Sequence, residues 1–286
     1  MRKEERVPKL IEVSAGDLTL AAWDWPGREP TLLFLHGTSF HGRCWDAVIR
    51  EFPERHCVAL ESRGHGRSSK PAPPYHWSAS TADLLAIIER LGISGAIGVG
   101  HSMGGHTLAA AAAIQPEAFS ALLLADPTIR APAAYQTPPF DVSFVRKRRA
   151  RWASAEEMFN SFRSRPPFDR WVPEVLRDYC DFGLLPGDGG FVLACPPEVE
   201  ASIYECSKEE ETRLYGRLGS VAIPVTVLRA GHRTGLPFSN SPTDPKLASR
   251  FQRGEDVLLP DLTHFIPMEA PMVVVDYIRR AVARST

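Results

Sequence analysis

A serine flanked by glycines constrains this chain more than any other feature. Ser102 stands in the run Gly100-His101-Ser102-Met103-Gly104, which matches the pattern G-x-S-x-G. An apolar run enters this motif, and a small-residue, alanine-rich segment at 103–114 leaves it. A serine on such a sharp turn from strand to helix has its hydroxyl exposed above the sheet in a strained backbone conformation. The motif therefore predicts a strand-turn-helix unit and makes Ser102 a candidate nucleophile.

Short apolar runs alternate with amphipathic stretches on both sides of this turn. Strands are predicted at 9–14, 18–25, 31–35, 56–60, 95–99, 121–125, 224–228 and 256–259, and helices at 81–91, 103–114 and 271–283. Several of the runs are continuously apolar, which is typical of strands buried on both faces of a parallel sheet. Strands that alternate with helices imply right-handed crossovers. We therefore expect an α/β fold with a doubly wound, mostly parallel sheet of eight strands.

The alternation stops after the sixth predicted strand. Residues 128–216 contain helical pieces interrupted by Pro166-Pro167 and Pro196-Pro197. A stretch of about 90 residues is too long for a structureless loop in a compact domain. We therefore predict a helical insertion at 128–216 and a discontinuous core formed by 1–127 and 217–286. The insertion holds 13 of the 26 aromatic residues of the chain, which favours an apolar pocket there, with Trp152, Phe159 and Trp171 as candidate substrate-binding residues.

A serine hydroxyl is a weak nucleophile at neutral pH and needs a base. The chain has nine histidines, so the base is chosen by position. His264 follows the last predicted strand, and loops that leave the carboxyl ends of the strands in a doubly wound sheet open on one crevice. His264 is therefore expected at the same sheet edge as Ser102. His101 and His106 lie on the same short segment as Ser102, and we expect structural roles for them.

Four motifs occur together along the chain. They are Leu35-His36-Gly37-Thr38, Arg63-Gly64-His65-Gly66-Arg67-Ser68, the turn around Ser102, and Thr263-His264-Phe265-Ile266-Pro267-Met268-Glu269-Ala270-Pro271. In this order and spacing the chain resembles the α/β-hydrolase fold family over nearly its whole length. The resemblance implies a capped serine hydrolase of the esterase or lactonase kind, with 128–216 as the helical cap. It says little about the substrate, because this fold hosts many chemistries.

The resemblance also implies roles for single residues. Ser102 would be the nucleophile and His264 the general base, and an oxyanion hole would be formed by the backbone N–H of Met103 and of Thr38. His36 would support its own loop, the motif at 63–68 would be a structural turn, and Glu269 would tie down the loop of His264. No metal or cofactor is implied.

The acid that orients the histidine is where this sequence departs from the family pattern. Many members place an aspartate shortly after the strand predicted here at 224–228, but residues 229–236 contain no carboxylate. Asp126, at the end of the predicted strand 121–125, is the best substitute, because the order Ser102, Asp126, His264 is that of the family. Asp244, another carboxylate, or no acid at all stay open.

These assignments predict hydrolysis of a carboxylic ester or lactone of a hydrophobic, possibly aromatic, small molecule. Two alternatives remain. The same residues suit cleavage of a carbon–carbon bond in a dienone-type ring-cleavage product, and the missing late acid suits a non-catalytic ligand receptor on a hydrolase scaffold.

Composition narrows the partners and the compartment. A net charge of −1 offers no support for a nucleic-acid partner, and no apolar run is long enough to predict a membrane span. The five cysteines lack C-x-x-C spacing, so neither a metal site nor a disulfide framework is expected. The charged N-terminal residues lack the apolar stretch of a secretory signal, so a cytoplasmic location is predicted. The basic run Arg146–Arg151 is expected to be a solvated helix face, with an anionic substrate or a membrane surface as alternatives. The oligomeric state stays open.

Overall fold

A computed structural model describes residues 6–137 and 140–285. Its strands are β1 (Lys9–Ala15), β2 (Leu18–Trp25), β3 (Arg28–Leu35), β4 (Arg55–Glu61), β5 (Ala96–His101), β6 (Phe119–Ala125), β7 (Arg151–Trp152), β8 (Leu184–Gly187), β9 (Gly190–Leu193), β10 (Pro224–Ala230) and β11 (Arg253–Leu259). Its α-helices are α1 (Asp46–Ile49), α2 (Trp77–Leu91), α3 (Met103–Ala112), α4 (Ser143–Arg146), α5 (Ala155–Phe162), α6 (Pro173–Phe182), α7 (Pro197–Glu205), α8 (Ile266–Glu269) and α9 (Pro271–Ser285).

The eight predicted strands form one sheet, in the order β1-β2-β4-β3-β5-β6-β10-β11. The β1–β2 and β2–β4 pairs are antiparallel, and the five pairs from β4 to β11 are parallel. Separate clusters of buried apolar side chains cover the two faces of the sheet, one packed on α2 and α3 and the other on α1 and α9. The predicted doubly wound, mostly parallel α/β sheet is confirmed.

Helix ends differ from prediction by a few residues, for local reasons. Helix α2 begins at Trp77, one turn earlier than its apolar periodicity suggests, and ends at Leu91 as predicted, with Gly92 as its C-cap at a left-handed φ of 63°. Glycine takes this conformation at helix C-termini without the steric cost that a Cβ would add. Helix α3 ends at Ala112.

The described residues between β6 and β10 form four α-helices, α4 to α7, and also a small antiparallel sheet in the order β7-β9-β8. This sheet was not predicted, because strands of two to four residues are too short to show an alternating pattern. We call residues 128–216 the inserted segment. Its buried aromatic and aliphatic side chains pack with Phe40 and Phe265 of the sheet-edge loops, which brings the segment against that edge of the sheet.

The basic run in the inserted segment is exposed at Arg146, Lys147, Arg149 and Arg151, as expected, but only Arg146 lies on a helix. It extends from the end of α4 into β7, and the Arg148 guanidinium forms an ion pair with the buried carboxylate of Glu200 and donates to Tyr179 Oη at 3.2 Å. Arg146 pairs with Glu198 and Glu205 of α7. The expected helix face was wrong because α4 ends at Arg146. The partners of Arg146 and Arg148, about 50 residues along the chain, cannot be seen in a local charge pattern. The run instead joins α4 to α7.

Within the described residues, no helix combines the length and the apolar character needed to cross a membrane.

Candidate functional site

The site is built where parallel strands end together. In the ladder, Leu35 of β3 pairs with Gly100 of β5, and His101 of β5 pairs with Ala125 of β6. The first residues past these strand ends are therefore level with one another. The amide of Ser102 donates to the Ala125 carbonyl at 3.1 Å, which continues the ladder by one residue into the turn.

The turn at Ser102 has the strained backbone that its motif predicts. Ser102 has φ 55° and ψ −118°, a conformation rare for a residue with a side chain. Neighbouring glycines make this bend possible, because a Cβ on Gly104 would lie 2.4 Å from the Leu35 carbonyl oxygen and one on Gly100 would lie 2.7 Å from the backbone of Gly104. Helix α3 starts at the next residue, Met103, so its free N-terminal N–H groups lie beside the serine.

Ser102, His264 and Asp126 form a continuous chain of hydrogen bonds. The Ser102 hydroxyl lies 2.9 Å from His264 Nε2, and His264 Nδ1 lies 2.7 Å from Asp126 Oδ2. Because the carboxylate can only accept, Nδ1 carries the proton and Nε2 is free to accept from the serine. Ser102 is 8%, His264 9% and Asp126 0% exposed, so bulk water competes little with these bonds. The three side chains singled out by sequence are thus brought together.

Asp126 is held by donors from the region where the family pattern would place the acid. Its Oδ1 accepts from the Ala230 amide at 3.0 Å and from the Ser241 hydroxyl at 2.6 Å. The Thr243 hydroxyl lies 3.2 Å from the same oxygen and 2.7 Å from the Pro127 carbonyl. The alternative acid, Asp244, instead accepts from the Lys246 amide at 3.0 Å. The region after β10, where the expected carboxylate is missing, therefore supplies hydrogen-bond donors to Asp126 at the end of β6.

Thr128 is a site residue that sequence reasoning missed. Its Oγ1 lies 3.1 Å from Ser102 Oγ, and its amide donates to the Ser102 carbonyl at 3.0 Å. When the serine proton points to His264, the threonine hydroxyl is the donor to Ser102 Oγ. Its position two residues beyond Asp126 was the only sequence signal, and it is weak without the register of β5 against β6.

The turn after β3 brings the Thr38 amide next to the serine. A Cβ on Gly37 would lie 3.0 Å from Ser102 Cβ, so the turn can come this close to the serine only because residue 37 is a glycine. The Thr38 hydroxyl also contacts Met103 Sδ at 3.6 Å, so the two residues predicted to supply the oxyanion donors are in contact. Among the hydrogen bonds of the described residues, none uses the amide of Thr38 or of Met103.

Two buried neutral histidines hold this turn. His36 donates from Nδ1 to the Gly37 carbonyl at 2.7 Å and accepts the Ser62 amide at Nε2, at 3.1 Å. His65 accepts the Ser39 amide at 3.0 Å. Burial lowers the pKa of His36 to about 4 and that of His65 well below its ordinary value, so both rings stay neutral and keep one donor and one acceptor nitrogen. His36 thus supports its loop, as the resemblance implies.

The loop that carries His264 is held from two sides. Glu269 accepts from the Thr263 amide at 3.2 Å and from the Thr263 hydroxyl, and it pairs with Arg170 of the inserted segment at 3.2 Å. His101, one residue before Ser102, donates from Nε2 to the His264 carbonyl at 2.8 Å. Both contacts fix the backbone of His264 so that its ring meets the serine.

The three aromatic candidates of the inserted segment lie in different places. Trp171 packs on Phe265 with ring centroids 5.5 Å apart, and Phe265 in turn lies 5.7 Å from the ring of His264. Trp152 packs within the inserted segment on Phe162, and the Phe159 ring is covered by the Arg177 guanidinium at 3.7 Å. Only Trp171 of the three is therefore placed near the Ser102–His264 pair.

Comparison with known proteins agrees with this fold. A family model described as the alpha/beta hydrolase family matches residues 32–277. Lipase LipV of Mycobacterium tuberculosis is 35% identical over 106 residues, which cover 36% of this chain and only 40% of the lipase. The 2-(acetamidomethylene)succinate hydrolase of Mesorhizobium japonicum is 25% identical over 223 residues, 76% of each chain. A crystal structure of E-2-(acetamidomethylene)succinate hydrolase superposes with a TM-score of 0.80 at 21% identity, over 96% of this chain and 99% of that one.

This chain thus spans only about two fifths of the length of lipase LipV, and the same holds for the bifunctional esterase/perhydrolase DCH of Acinetobacter calcoaceticus. The family model, in contrast, spans the whole parallel part of the sheet together with Ser102, Asp126 and His264. The chain therefore belongs to the alpha/beta hydrolase family.

Proposed function

We propose that this protein is a serine hydrolase that cleaves a carboxylic ester or lactone of a hydrophobic, possibly aromatic, substrate. The observation that carries the proposal is the hydrogen-bond chain from Ser102 Oγ through His264 to Asp126, at 2.9 and 2.7 Å. A hydroxyl, an imidazole and a carboxylate in this order form the arrangement of a nucleophile, its base and the acid that orients the base. The similarity to a lipase supports an ester substrate.

In the proposed first half-reaction, Ser102 Oγ attacks the carbonyl carbon while His264 Nε2 takes the serine proton. The carbonyl oxygen becomes an oxyanion that accepts from the amides of Thr38 and Met103, and each such donor contributes roughly 3 kcal/mol to transition-state stabilisation. Asp126 stabilises the positive charge that His264 gains. His264 then protonates the leaving alkoxide as its bond to the carbonyl carbon breaks, which leaves an ester on Ser102.

In the second half-reaction, water attacks the acyl carbon and gives a proton to His264. The bond between the acyl carbon and Ser102 Oγ breaks, His264 returns the proton to that oxygen, and a carboxylic acid leaves. The same amides hold the second oxyanion. Every proton in these steps is moved by His264, so the cycle needs no metal and no cofactor.

The inserted segment is proposed to act as a cap, residues 128–216, over a core formed by 1–127 and 217–286. Trp171 and Phe40 lie 5.7 Å apart between the cap and the Ser102 turn, and both offer an apolar wall to the substrate. Trp152 and Phe159 would act indirectly, by packing the cap. We further propose a cytoplasmic location, which the five free, buried cysteines suit.

The test is covalent trapping. A fluorophosphonate probe should label wild-type protein with one equivalent, and Ser102→Ala should abolish both labelling and ester turnover. Equal labelling of the two proteins, or none of the wild type, would contradict the proposal. A panel of aryl esters, alkyl esters and lactones then defines the substrate class. Turnover of a vinylogous diketone without ester turnover would instead favour carbon–carbon bond cleavage. Binding of these compounds without turnover of any of them would favour a non-catalytic ligand receptor.

A further inference from the structure

A second group of chemically reactive side chains takes no part in the Ser102–His264–Asp126 chain and lies where the inserted segment returns to the core. His76 stands at the N-terminus of α2, and Cys206 and Glu209 follow the end of α7. One ligand atom from each residue, an imidazole nitrogen, the thiol sulfur and a carboxylate oxygen, lies within 4.8 Å of the other two. His76 Nδ1 and Glu209 Oε2 are 2.9 Å apart.

These three ligand types select among metals. A soft thiolate beside an imidazole disfavours magnesium and calcium, which prefer oxygen ligands, and suits zinc. Zinc–sulfur bonds of about 2.3 Å and zinc–nitrogen or zinc–oxygen bonds of about 2.0–2.2 Å fit ligand atoms separated by the distances seen here after shifts below about 1 Å. A thiolate and a carboxylate together carry two negative charges, which balance one Zn²⁺ ion.

The backbone around the three residues is already held in place. The Tyr75 amide donates to Ser202 Oγ at 3.0 Å, and Trp77 Nε1 donates to the Ile203 carbonyl at 2.9 Å, so both neighbours of His76 are tied to α7. Glu211 accepts from the Ser78 amide at 3.1 Å, which ties the chain after Glu209 to the first turn of α2. Cys206 is buried and His76 is exposed, which leaves a path from solvent to a preformed set of ligands.

We propose that His76, Cys206 and Glu209 bind one zinc ion, with water as its fourth ligand. The ion joins the N-terminus of α2 to the return of the inserted segment and so stabilises the attachment of that segment to the core. Cysteine spacing did not predict this site, because His76 and Glu209 are 133 positions apart and meet only in the fold. The proposal is independent of the proposed hydrolase activity.

The test begins with full-length wild-type protein stripped by a chelator and titrated with Zn²⁺ in a calorimeter. One equivalent should bind and raise the melting temperature. Co²⁺ in its place should give the absorption of a tetrahedral ion together with a sulfur-to-metal charge-transfer band. Absence of stoichiometric binding, or a cobalt spectrum without the charge-transfer band, would overturn the proposal.

Variants identify the ligands. Cys206→Ser, His76→Asn and Glu209→Gln should each weaken zinc binding by more than the 10–100-fold typical of residues that only orient a ligand. Cys206→Ser should also remove the charge-transfer band. His232→Asn, which changes an exposed histidine elsewhere, and Cys180→Ser, which changes another buried cysteine, should bind zinc as wild type does. Binding that persists in Cys206→Ser, or that is lost equally in the two controls, would place the ion elsewhere.

Discussion

The Thr128 hydroxyl lies 3.1 Å from the Ser102 hydroxyl, and the Thr128 amide donates to the Ser102 carbonyl at 3.0 Å. Thr128 is thus fixed to Ser102 by backbone and side chain. A donor placed on Ser102 Oγ stabilises the negative charge that grows on this oxygen as its proton moves to His264.

Thr128→Val keeps the shape of the side chain and removes the hydroxyl. We expect kcat for ester hydrolysis to fall about 10-fold, since one hydrogen bond contributes about 1–1.5 kcal/mol. KM should change little, because the hydroxyl contacts the serine and not the substrate. Steady-state kinetics and the rate of fluorophosphonate labelling measure this loss. Thr128→Ser should retain most of the activity, and a Thr128→Val enzyme as fast as wild type would show that the contact is only structural.

The assignment of the acid makes a sharper prediction. Asp126→Asn keeps the size of the side chain but cannot hold the charged imidazole, and an amide N–H facing His264 Nδ1 favours the wrong tautomer. By analogy with serine proteases, where the equivalent change costs about 10⁴-fold in kcat, we expect a loss of about 10³–10⁴-fold. Asp244→Asn is the matched control and should stay within about threefold of wild type, because its carboxylate caps the Lys246 amide. The reverse result would move the acid to Asp244.

Chain order and local motifs were enough to select Ser102 and His264 and to favour Asp126 as the acid, with Asp244 left open. Ser102 and Asp126 follow directly on β5 and β6, His264 lies in the loop after β11, and strand ends of a parallel sheet meet at one edge. Sequence reasoning did not identify Thr128 or Ser241 as site residues. Their contacts depend on the register of β5 with β6 and on the path of a loop after β10, neither of which leaves a pattern in the sequence.

The inserted segment shows the same limit. Its helical content could be predicted from periodicity, whereas β7, β8 and β9 are too short to carry a pattern. The arginines at 146–151 looked solvated because charge runs usually are. The acidic partners of Arg146 and Arg148 lie on α7, and only the folded chain brings Glu200 to Arg148.

That buried pair predicts a large effect on stability. Glu200→Gln leaves the Arg148 guanidinium without its counter-charge in a buried place, so we expect the free energy of unfolding to fall by about 3–5 kcal/mol. The exposed pair between Arg177 and Glu156 provides the control, and Glu156→Gln should cost less than about 1 kcal/mol. Urea unfolding of both variants measures the difference. Combining Arg148→Met with Glu200→Leu should recover most of the loss, and equal stability of Glu200→Gln and wild type would mean that the pair is solvated.

The neutral histidine beneath the Thr38 turn predicts how stability depends on pH. Burial lowers the pKa of His36 to about 4 from an ordinary 6.5, so the folded protein holds the ring neutral where the unfolded chain would protonate it. This contribution to stability is present in full above pH 6.5 and is lost as the pH falls through 4, by up to about 3 kcal/mol at pH 4. The neighbouring ring of His65 lies 4.9 Å away, and its pKa is lowered in the same direction.

His36→Asn isolates this contribution, because the asparagine amide can still donate to the Gly37 carbonyl from the position of Nδ1. We expect the variant to be less stable than wild type at pH 7, where the Ser62 amide loses its acceptor, but to lose less stability on acidification. His65 keeps part of the acid sensitivity, so the slope should fall without vanishing. Urea unfolding at pH 7 and pH 4.5 measures both values, with the exposed His232→Asn as a control that should match wild type. Identical slopes for His36→Asn and wild type would mean that folding does not lower the pKa of His36, so that the ring is protonated at pH 4.5 and Nε2 cannot accept from the Ser62 amide there.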